Sequence, residues 1–181
     1  MNKSIIEIVG KPHEKIENLI SALRSIGGPI DGLTIDHIGL RAGQNPEDYV
    51  RICSLLQADG HLVGTSMVAG REVRLITLSE AIEVGDFMIP DIEVLSHKES
   101  SSYPKGWEHM EVICDRDLKS LFDQLENTET DVAFTVDDKN ISREHNPDIR
   151  MRFRELPGLS VKYHLTTLRD VIKQELAEAK K

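Results

Sequence analysis

The sequence lacks the features that mark membrane, secreted and disulfide-bonded proteins. No apolar run approaches the roughly 18 residues that a membrane-spanning helix needs, and the opening residues, MNKSIIEIVGKPHEK, have no long apolar segment of the secretory type. We therefore expect a cytoplasmic protein with no membrane partner. Cys53 and Cys114 are the two cysteines. Because they lie in apolar surroundings without CxxC spacing, we interpret them as reduced core residues.

Positive charge is not concentrated anywhere in the chain. Its 181 residues include 31 acidic and 22 basic side chains, which gives a formal net charge of -9, and no basic run could follow a phosphate backbone. Nucleic acid is therefore not an expected partner. The sequence also has no serine or cysteine nucleophile motif, no phosphate-binding glycine loop and no zinc-finger spacing. These absences leave a compact protein in which an apolar fraction of 39% is enough for one substantial core.

Helical periodicity marks both ends of the chain. In KPHEKIENLISALRSIG, residues 11–27, apolar side chains recur every three or four positions, and GGP ends the pattern. The segment TTLRDVIKQELAEAKK shows the same spacing, with apolar residues at Leu168, Val171, Ile172 and Leu176. We predict an N-terminal helical extension over 1–33 and a C-terminal helix over 166–181.

The region between these helices repeats one pattern twice. Residues 34–98 begin with a strand that contains His37, continue into a helical pattern and end with three extended segments. Residues 106–165 follow the same order around His109. We therefore predict an α+β fold in which two βαβββ modules, related by a pseudo-twofold axis, form an open, barrel-like antiparallel cup with flanking N- and C-terminal helices.

Alternation along the predicted strands assigns side chains to the two faces of the sheet. In TIDHIGLRA, Ile38 and Leu40 share one face, whereas His37, Gly39 and Arg41 share the other. The same test places a further set of side chains on polar faces: Arg74, Glu93, His109, Glu111, Arg150, Arg152, Lys162 and His164. The cup would then enclose a polar, partly charged hollow. A solvent-exposed antiparallel sheet shows the same alternation, so exposure is the alternative interpretation.

Several of these side chains are of the types that bind metals or anions. Two neutral imidazoles and one carboxylate, here His37, His109 and Glu93, are the open ligand set of non-haem iron and of catalytic zinc. Glu111 could act as a general base beside a bound metal, and an ion pair with an arginine is the alternative. Arginines on the polar faces could hold a carboxylate or a phosphate, or could lie on a solvated strand face.

The motifs DHIGLRA, GWEHMEVI and LPGLSVKYHL resemble the vicinal oxygen chelate superfamily, which includes glyoxalases, extradiol dioxygenases and bleomycin-resistance proteins. Within that superfamily, nearly the whole chain resembles the YecM family of small bacterial proteins. The resemblance implies a divalent metal ion (Zn, Fe, Mn or Ni) held by the first and fourth strands of each module. His37, His109 and Glu93 match three of those positions. Lys162, a poor ligand, stands at the fourth, and His164 lies two residues further on, on the same face.

These features predict a metal-dependent enzyme of the isomerase, lyase or dioxygenase type that acts on a small anionic, oxygen-bearing substrate. The candidate metal ligands are His37, Glu93, His109 and His164; the candidate substrate-binding residues are Arg74, Arg152 and Lys162; the candidate catalytic residue is Glu111. The alternative is a metal-free protein that sequesters a small molecule in the same cup, and Lys162 favours that alternative. Since one chain carries both modules, a monomer can complete the cup, and a homodimer is compatible with this but not required.

Overall fold

The computed structural model describes residues 3–68, 70–98, 103–144 and 146–178. Residues 99–102 of the serine-rich connector, and the side chain of Leu176, lie outside the described part. The helices are α1 (Lys3–Val9), α2 (His13–Ser25), α3 (Pro46–Ala58), α4 (Leu118–Glu126) and α5 (Leu168–Glu178). The strands are β1 (Thr34–Arg41), β2 (Gly60–Val68), β3 (Arg71–Val84), β4 (Phe87–Leu95), β5 (Gly106–Ile113), β6 (Phe134–Asp137), β7 (Asp148–Phe153) and β8 (Ser160–His164).

The strands form one open sheet that joins the two modules at its centre. Their spatial order is β2-β3-β4-β1-β5-β8-β7-β6, so the second half repeats the first in reverse. Strands β1 and β5 pair with each other antiparallel, and each pairs parallel with the last strand of its own module. The predicted α+β fold, with two βαβββ modules and flanking helices, is confirmed. Among the described residues, no helix has both the length and the apolar character needed to cross a bilayer.

The main core lies between the convex face of the sheet and the helices. Ile38 and Leu40 on β1 and Met110 and Val112 on β5 are almost completely buried there, as alternation predicted. The N-terminal segment is attached to this face by hydrogen bonds as well as by packing. The hydroxyl of Tyr163 donates to the Pro29 carbonyl at 2.7 Å, which joins the last strand to the residues that precede β1.

Two short motifs begin the module helices at equivalent places. Asn45 precedes α3, and its side chain accepts a hydrogen bond from the Glu47 amide at 3.0 Å, with Pro46 at the first helical position. Asp117 does the same for α4 by accepting from the Ser120 amide at 2.8 Å. Each cap satisfies a backbone amide in the first turn of its helix.

The C-terminal helix α5 lies on the concave side of the first module. It covers Val73 and Leu75, which pair with Leu95 and Glu93 of β4 and therefore face the same way. These side chains belong to a small apolar group apart from the main core: Val73, Leu75, Leu95, Val171 and Ile172. The helix approaches β2 closely, because a Cβ atom added at Gly64 would lie 2.6 Å from the Ile172 side chain.

We expect Arg169 to anchor α5 to the sheet. Its guanidinium donates to both carboxylate oxygens of Asp91, at 2.9 and 3.0 Å, and to the Thr77 hydroxyl at 2.8 Å. Asp91 is 2% exposed, so Arg169→Ala leaves a buried carboxylate without its charged partner. The free energy of unfolding in urea should fall by about 1–3 kcal/mol. Lys173→Ala, which removes an exposed pair on the same helix, is the control, and an equal effect of both substitutions would contradict this role.

Candidate metal centre

The candidate centre lies on the concave face, where β4, β1 and β5 run side by side. His37 on β1 pairs with Glu111 on β5, and Gly39 on β1 pairs with both His109 on β5 and Glu93 on β4. Residues that pair across neighbouring strands project from the same face of a sheet. The four side chains therefore meet above the backbone of Gly39, although they come from three strands and both modules.

Four buried side chains converge here with one potential metal-binding atom each. One donor atom from each of His37, Glu93, His109 and Glu111 lies within 4.8 Å of the other three. His109 Nε2 is 3.0 Å from Glu93 Oε2, and His37 Nε2 is 3.3 Å from Glu111 Oε2. His37 is fully buried, and the other three side chains belong to residues that are 4–6% exposed. Such convergence of imidazoles and carboxylates is typical of transition-metal sites.

The unsatisfied polar atoms of this group fit a divalent ion. His37 Nε2 and Glu93 Oε2 are buried and, although each lies close to an oppositely charged group, neither makes a hydrogen bond of good geometry, which is unusual for interior polar atoms. A metal–nitrogen or metal–oxygen bond is about 2.0–2.2 Å long, so ligands on opposite sides of one ion lie about 4 Å apart. The observed separations between the four donor atoms are close to that distance. His37, Glu93, His109 and Glu111 are therefore the residues that would hold the ion.

Two β-bulges position the histidines. In the pairing of β1 with β5, Asp36 on β1 and Glu108 on β5 are skipped by the register, and each immediately precedes a histidine. Asp36 Oδ2 lies 2.8 Å from His37 Nδ1, whereas Glu108 Oε2 lies 3.7 Å from His109 Nδ1. Each module therefore places a carboxylate beside the outer ring nitrogen of its histidine.

Asp36 also connects the centre to the C-terminal helix. The same oxygen that faces His37 Nδ1 accepts a hydrogen bond from the Leu168 amide at 3.0 Å, at the start of α5. A carboxylate that accepts from Nδ1–H leaves the Nε2 lone pair available for a metal. Asp36 is thus a positioning residue for His37.

Gly39 provides the space that the His109 ring occupies. A Cβ atom at this position would lie 2.1 Å from His109 Cε1 and 2.4 Å from both ring nitrogens. No side chain larger than hydrogen fits beneath the ring in this arrangement. The two rings, His37 and His109, consequently approach to 5.8 Å between centroids with an interplanar angle of 80°.

Positive charge from neighbouring residues balances the two carboxylates. Lys162 Nζ donates to Glu111 Oε1 and lies 3.5 Å from His109 Nε2, and His164 Nε2 lies 2.9 Å from Glu111 Oε2. Burial alone would raise the pKa of Glu111, but His164, His37 and Lys162 outweigh that effect and hold it well below its usual range. The pKa of Glu93 is lowered as well, since His109, Lys162 and His37 outweigh its burial.

The same carboxylates act on the histidine and the lysine. Burial by itself would lower the pKa of His37, but Glu111, Asp36 and Glu93 outweigh burial and raise it to about 10. Burial would likewise lower the pKa of Lys162, and Glu111 with Glu93 raises it instead. In the absence of a metal ion, the centre is therefore a network of buried, oppositely charged groups.

The structure changes two of the residue assignments made from sequence. Arg74 was predicted to line the cup, but it does not. It pairs with Val94 of the main core, donates to Glu72 at 3.0 Å and lies 5.3 Å from the Tyr49 ring of α3. The prediction was wrong because α5 packs on the concave face of β3. The apolar residues of this strand that alternate with Arg74 therefore face α5, and Arg74 itself faces the opposite side of the sheet. His164 lies beside the centre, yet it is not one of the four converging donors, and Glu111 takes that place.

The remaining predicted residues do line the cup. Lys162 is in direct contact with the centre, whereas Arg152 is about half exposed and bonds Asp137 at 3.0 Å. The cavity has a volume of about 680 Å³, and Glu93, His109 and Glu111 reach it, while His37 lies beneath them. Its size is within the range of small-molecule sites. Sequence alternation missed Asp36, because a bulge residue does not follow the period of two.

The fold and these donors define an α+β protein of two βαβββ modules with a candidate metal centre on its concave face. Three solved structures are similar. A structural-genomics protein, EC4020, has a TM-score of 0.73 and 21% identity over 94% of this chain and 93% of that chain. Hypothetical protein BH1468 from Bacillus halodurans has a TM-score of 0.50 and 15% identity, covering 74% and 94%. A Streptomyces coelicolor methylmalonyl-CoA epimerase in complex with 2-nitronate-propionyl-CoA has a TM-score of 0.50 and 14% identity, covering 74% and 97%.

At these identities the structural likeness shows the fold alone. The family described as YecM protein matches residues 7–175, so the chain belongs to the YecM family. Protein YecM of Escherichia coli is 32% identical over 98 residues, which is 54% of this chain. That match spans about half of the curated relative, at 52% of its length.

We predict that Asp36→Asn weakens metal binding and leaves the fold intact. The amide no longer accepts Nδ1–H as a charged partner, so His37 is less firmly oriented and less basic. Loss of such a partner typically lowers metal affinity by about 10–100-fold, which competition with a chromophoric chelator measures. Asp86→Asn, in the exposed turn before β4, is the control. Wild-type affinity in Asp36→Asn would contradict the positioning role.

We predict that Gly39→Ala displaces the His109 ring. The added methyl group would overlap the ring, since its position lies 2.1 Å from Cε1, so the imidazole must rotate away from Glu93. Metal affinity should then fall to the value of His109→Ala, measured with the same chelator. Circular dichroism checks that both variants are folded, and a folded Gly39→Ala protein with wild-type affinity would refute the prediction.

Proposed function

We propose that this protein is a divalent-metal-dependent enzyme of the isomerase, lyase or dioxygenase type, acting on a small anionic, oxygen-bearing substrate. The observation that carries the proposal is the convergence of His37, Glu93, His109 and Glu111 at the wall of a cavity of about 680 Å³. A divalent ion bound there would act as a Lewis acid toward a substrate oxygen. The fold class of the similar structures supports a cup that binds small molecules.

The side chains around the centre suggest distinct roles. Glu111 is better suited to be the fourth ligand than a general base, because its contacts hold its pKa well below its usual range and an efficient base titrates near the working pH. His164 lines the cavity and touches Glu111, and its Nδ1 makes no hydrogen bond. We assign His164 to proton transfer, and Lys162 with Arg152 to binding of the anionic substrate.

A metal-free binding protein is the second candidate, and the position of Lys162 favours it. The ammonium group already donates to Glu111 and lies 3.5 Å from His109 Nε2. It therefore supplies positive charge close to where an ion would bind. Under this alternative the cup would hold its ligand through Lys162 and the histidines alone.

Metal stoichiometry separates the two candidates. We expect untagged wild-type protein, purified without chelator, to bind about one equivalent of Zn²⁺, Fe²⁺, Mn²⁺ or Ni²⁺. His37→Ala and His109→Ala should each lose most of this affinity, because each removes one of four converging donors. Elemental analysis and metal titration give the measurement.

His61→Ala serves as the matched control, since His61 is an exposed residue of β2. Metal binding that is absent from the wild type even after reconstitution would favour the binding protein. Metal binding that survives both His37→Ala and His109→Ala would also contradict the proposed centre.

A further inference from the structure

A row of charged side chains crosses the concave face next to the candidate centre. Cross-strand pairing joins His37 to Glu111, Glu111 to Lys162, Lys162 to Arg150 and Arg150 to Asp137. Antiparallel partners have Cβ atoms about 4.5–5.5 Å apart and project from the same face. Lys162 and Arg150 therefore form a pair of neighbouring cations on the side of the centre that belongs to the second module.

Arg150 has no acidic partner among the described residues; Arg71 on β3 is in the same state, but Arg150 is the one that pairs with Lys162 beside the centre. Arg41 is paired with Glu108, and Arg152 bonds Asp137 at 3.0 Å. By contrast, no ion pair involves Arg150, and its Nε is buried without a hydrogen bond. A buried donor without a partner is destabilising, and a ligand that accepts a hydrogen bond from this Nε would satisfy it.

Arg150 borders two cavities on this face. It lines the 680 Å³ cavity that reaches the centre, and also a neighbouring cavity of about 480 Å³. Two carboxylates close to Arg150 bond to other groups: Asp137, its cross-strand partner, accepts from Arg152 at 3.0 Å, and Asp148, two residues away on β7, accepts from Asn140 at 2.8 Å. Neither of these carboxylates forms an ion pair with Arg150.

The charges around the centre indicate the charge that a ligand should carry. With Glu93 and Glu111 bound to a divalent ion, Lys162 and Arg150 would remain as two neighbouring cations that line the cavity. We propose that the substrate is a small dianion, with a chelating pair of oxygens directed at the centre and a second anionic group, a carboxylate or a phosphate, bound by Arg150 beside Lys162. This assignment rests on the proposed function, and it replaces Arg74 by Arg150 as an anion-binding residue.

Hydroxamates test the assignment because they chelate metal ions through two oxygens. We would titrate metal-loaded protein with acetohydroxamate, which has only the chelating group, and with succinic monohydroxamate and phosphonoacetohydroxamate, which add a carboxylate or a phosphonate. Calorimetry should give at least about 10-fold tighter binding for one of the two probes with a second anionic group than for acetohydroxamate. Whichever probe binds more tightly identifies the second anionic group.

Substitutions at Arg150 show whether that advantage depends on this residue. Arg150→Gln should remove the preference and leave acetohydroxamate affinity unchanged, while Arg150→Lys, which keeps the charge without the planar fork, should retain part of it. Arg51→Gln, on the exposed face of α3, is the matched control and should behave as wild type. Circular dichroism verifies that each variant is folded.

These measurements distinguish failure of the dianion assignment from failure of the proposed function. Equal affinity of wild-type protein for all three probes would overturn the dianion assignment and leave the metal centre standing, as would a preference that survives Arg150→Gln. A protein that takes up no metal in the preceding titration would overturn the proposed function and this assignment together.

Discussion

The concave face buries two carboxylates side by side, and most of the surrounding structure can be understood from that constraint. Glu93 and Glu111 are 6% and 4% exposed. Each ionised carboxylate in a protein interior is destabilising by several kcal/mol unless charge and hydrogen bonds compensate it. His37, His109 and Lys162 supply that compensation in the described structure. A divalent ion would supply more of it, and would use the histidine and carboxylate atoms that make no hydrogen bond.

Both modules of the duplicated fold position a histidine beside these carboxylates in the same way. A bulge before each histidine places a carboxylate, Asp36 or Glu108, beside the outer nitrogen of the ring. The first module adds the connection from Asp36 to the Leu168 amide of α5. The C-terminal helix therefore does more than cover apolar surface, because its first residue helps to orient His37. In the sequence, this arrangement corresponds to an acidic residue directly before each histidine: Asp36 before His37 and Glu108 before His109.

Local periodicity predicted the architecture well, because strands and helices with one buried face have a regular pattern. It also placed His37, Glu93 and His109 on one face. It could not identify Glu111 as a converging donor, since that depends on the register between β1 and β5, which lie far apart in the chain. Arg74 was assigned to the wrong face for a related reason: the packing of α5 on the concave side is a tertiary contact that alternation within β3 does not reveal.

The most direct test of the account is anomalous diffraction from crystals of the protein equilibrated with Zn²⁺ and measured at the zinc absorption edge. We expect one strong peak on the concave face, about 2.0–2.2 Å from donor atoms of His37, Glu93, His109 and Glu111, with Lys162 Nζ moved away from it. A concave face without a peak, in which Lys162 Nζ still lies between Glu111 and His109, would contradict it.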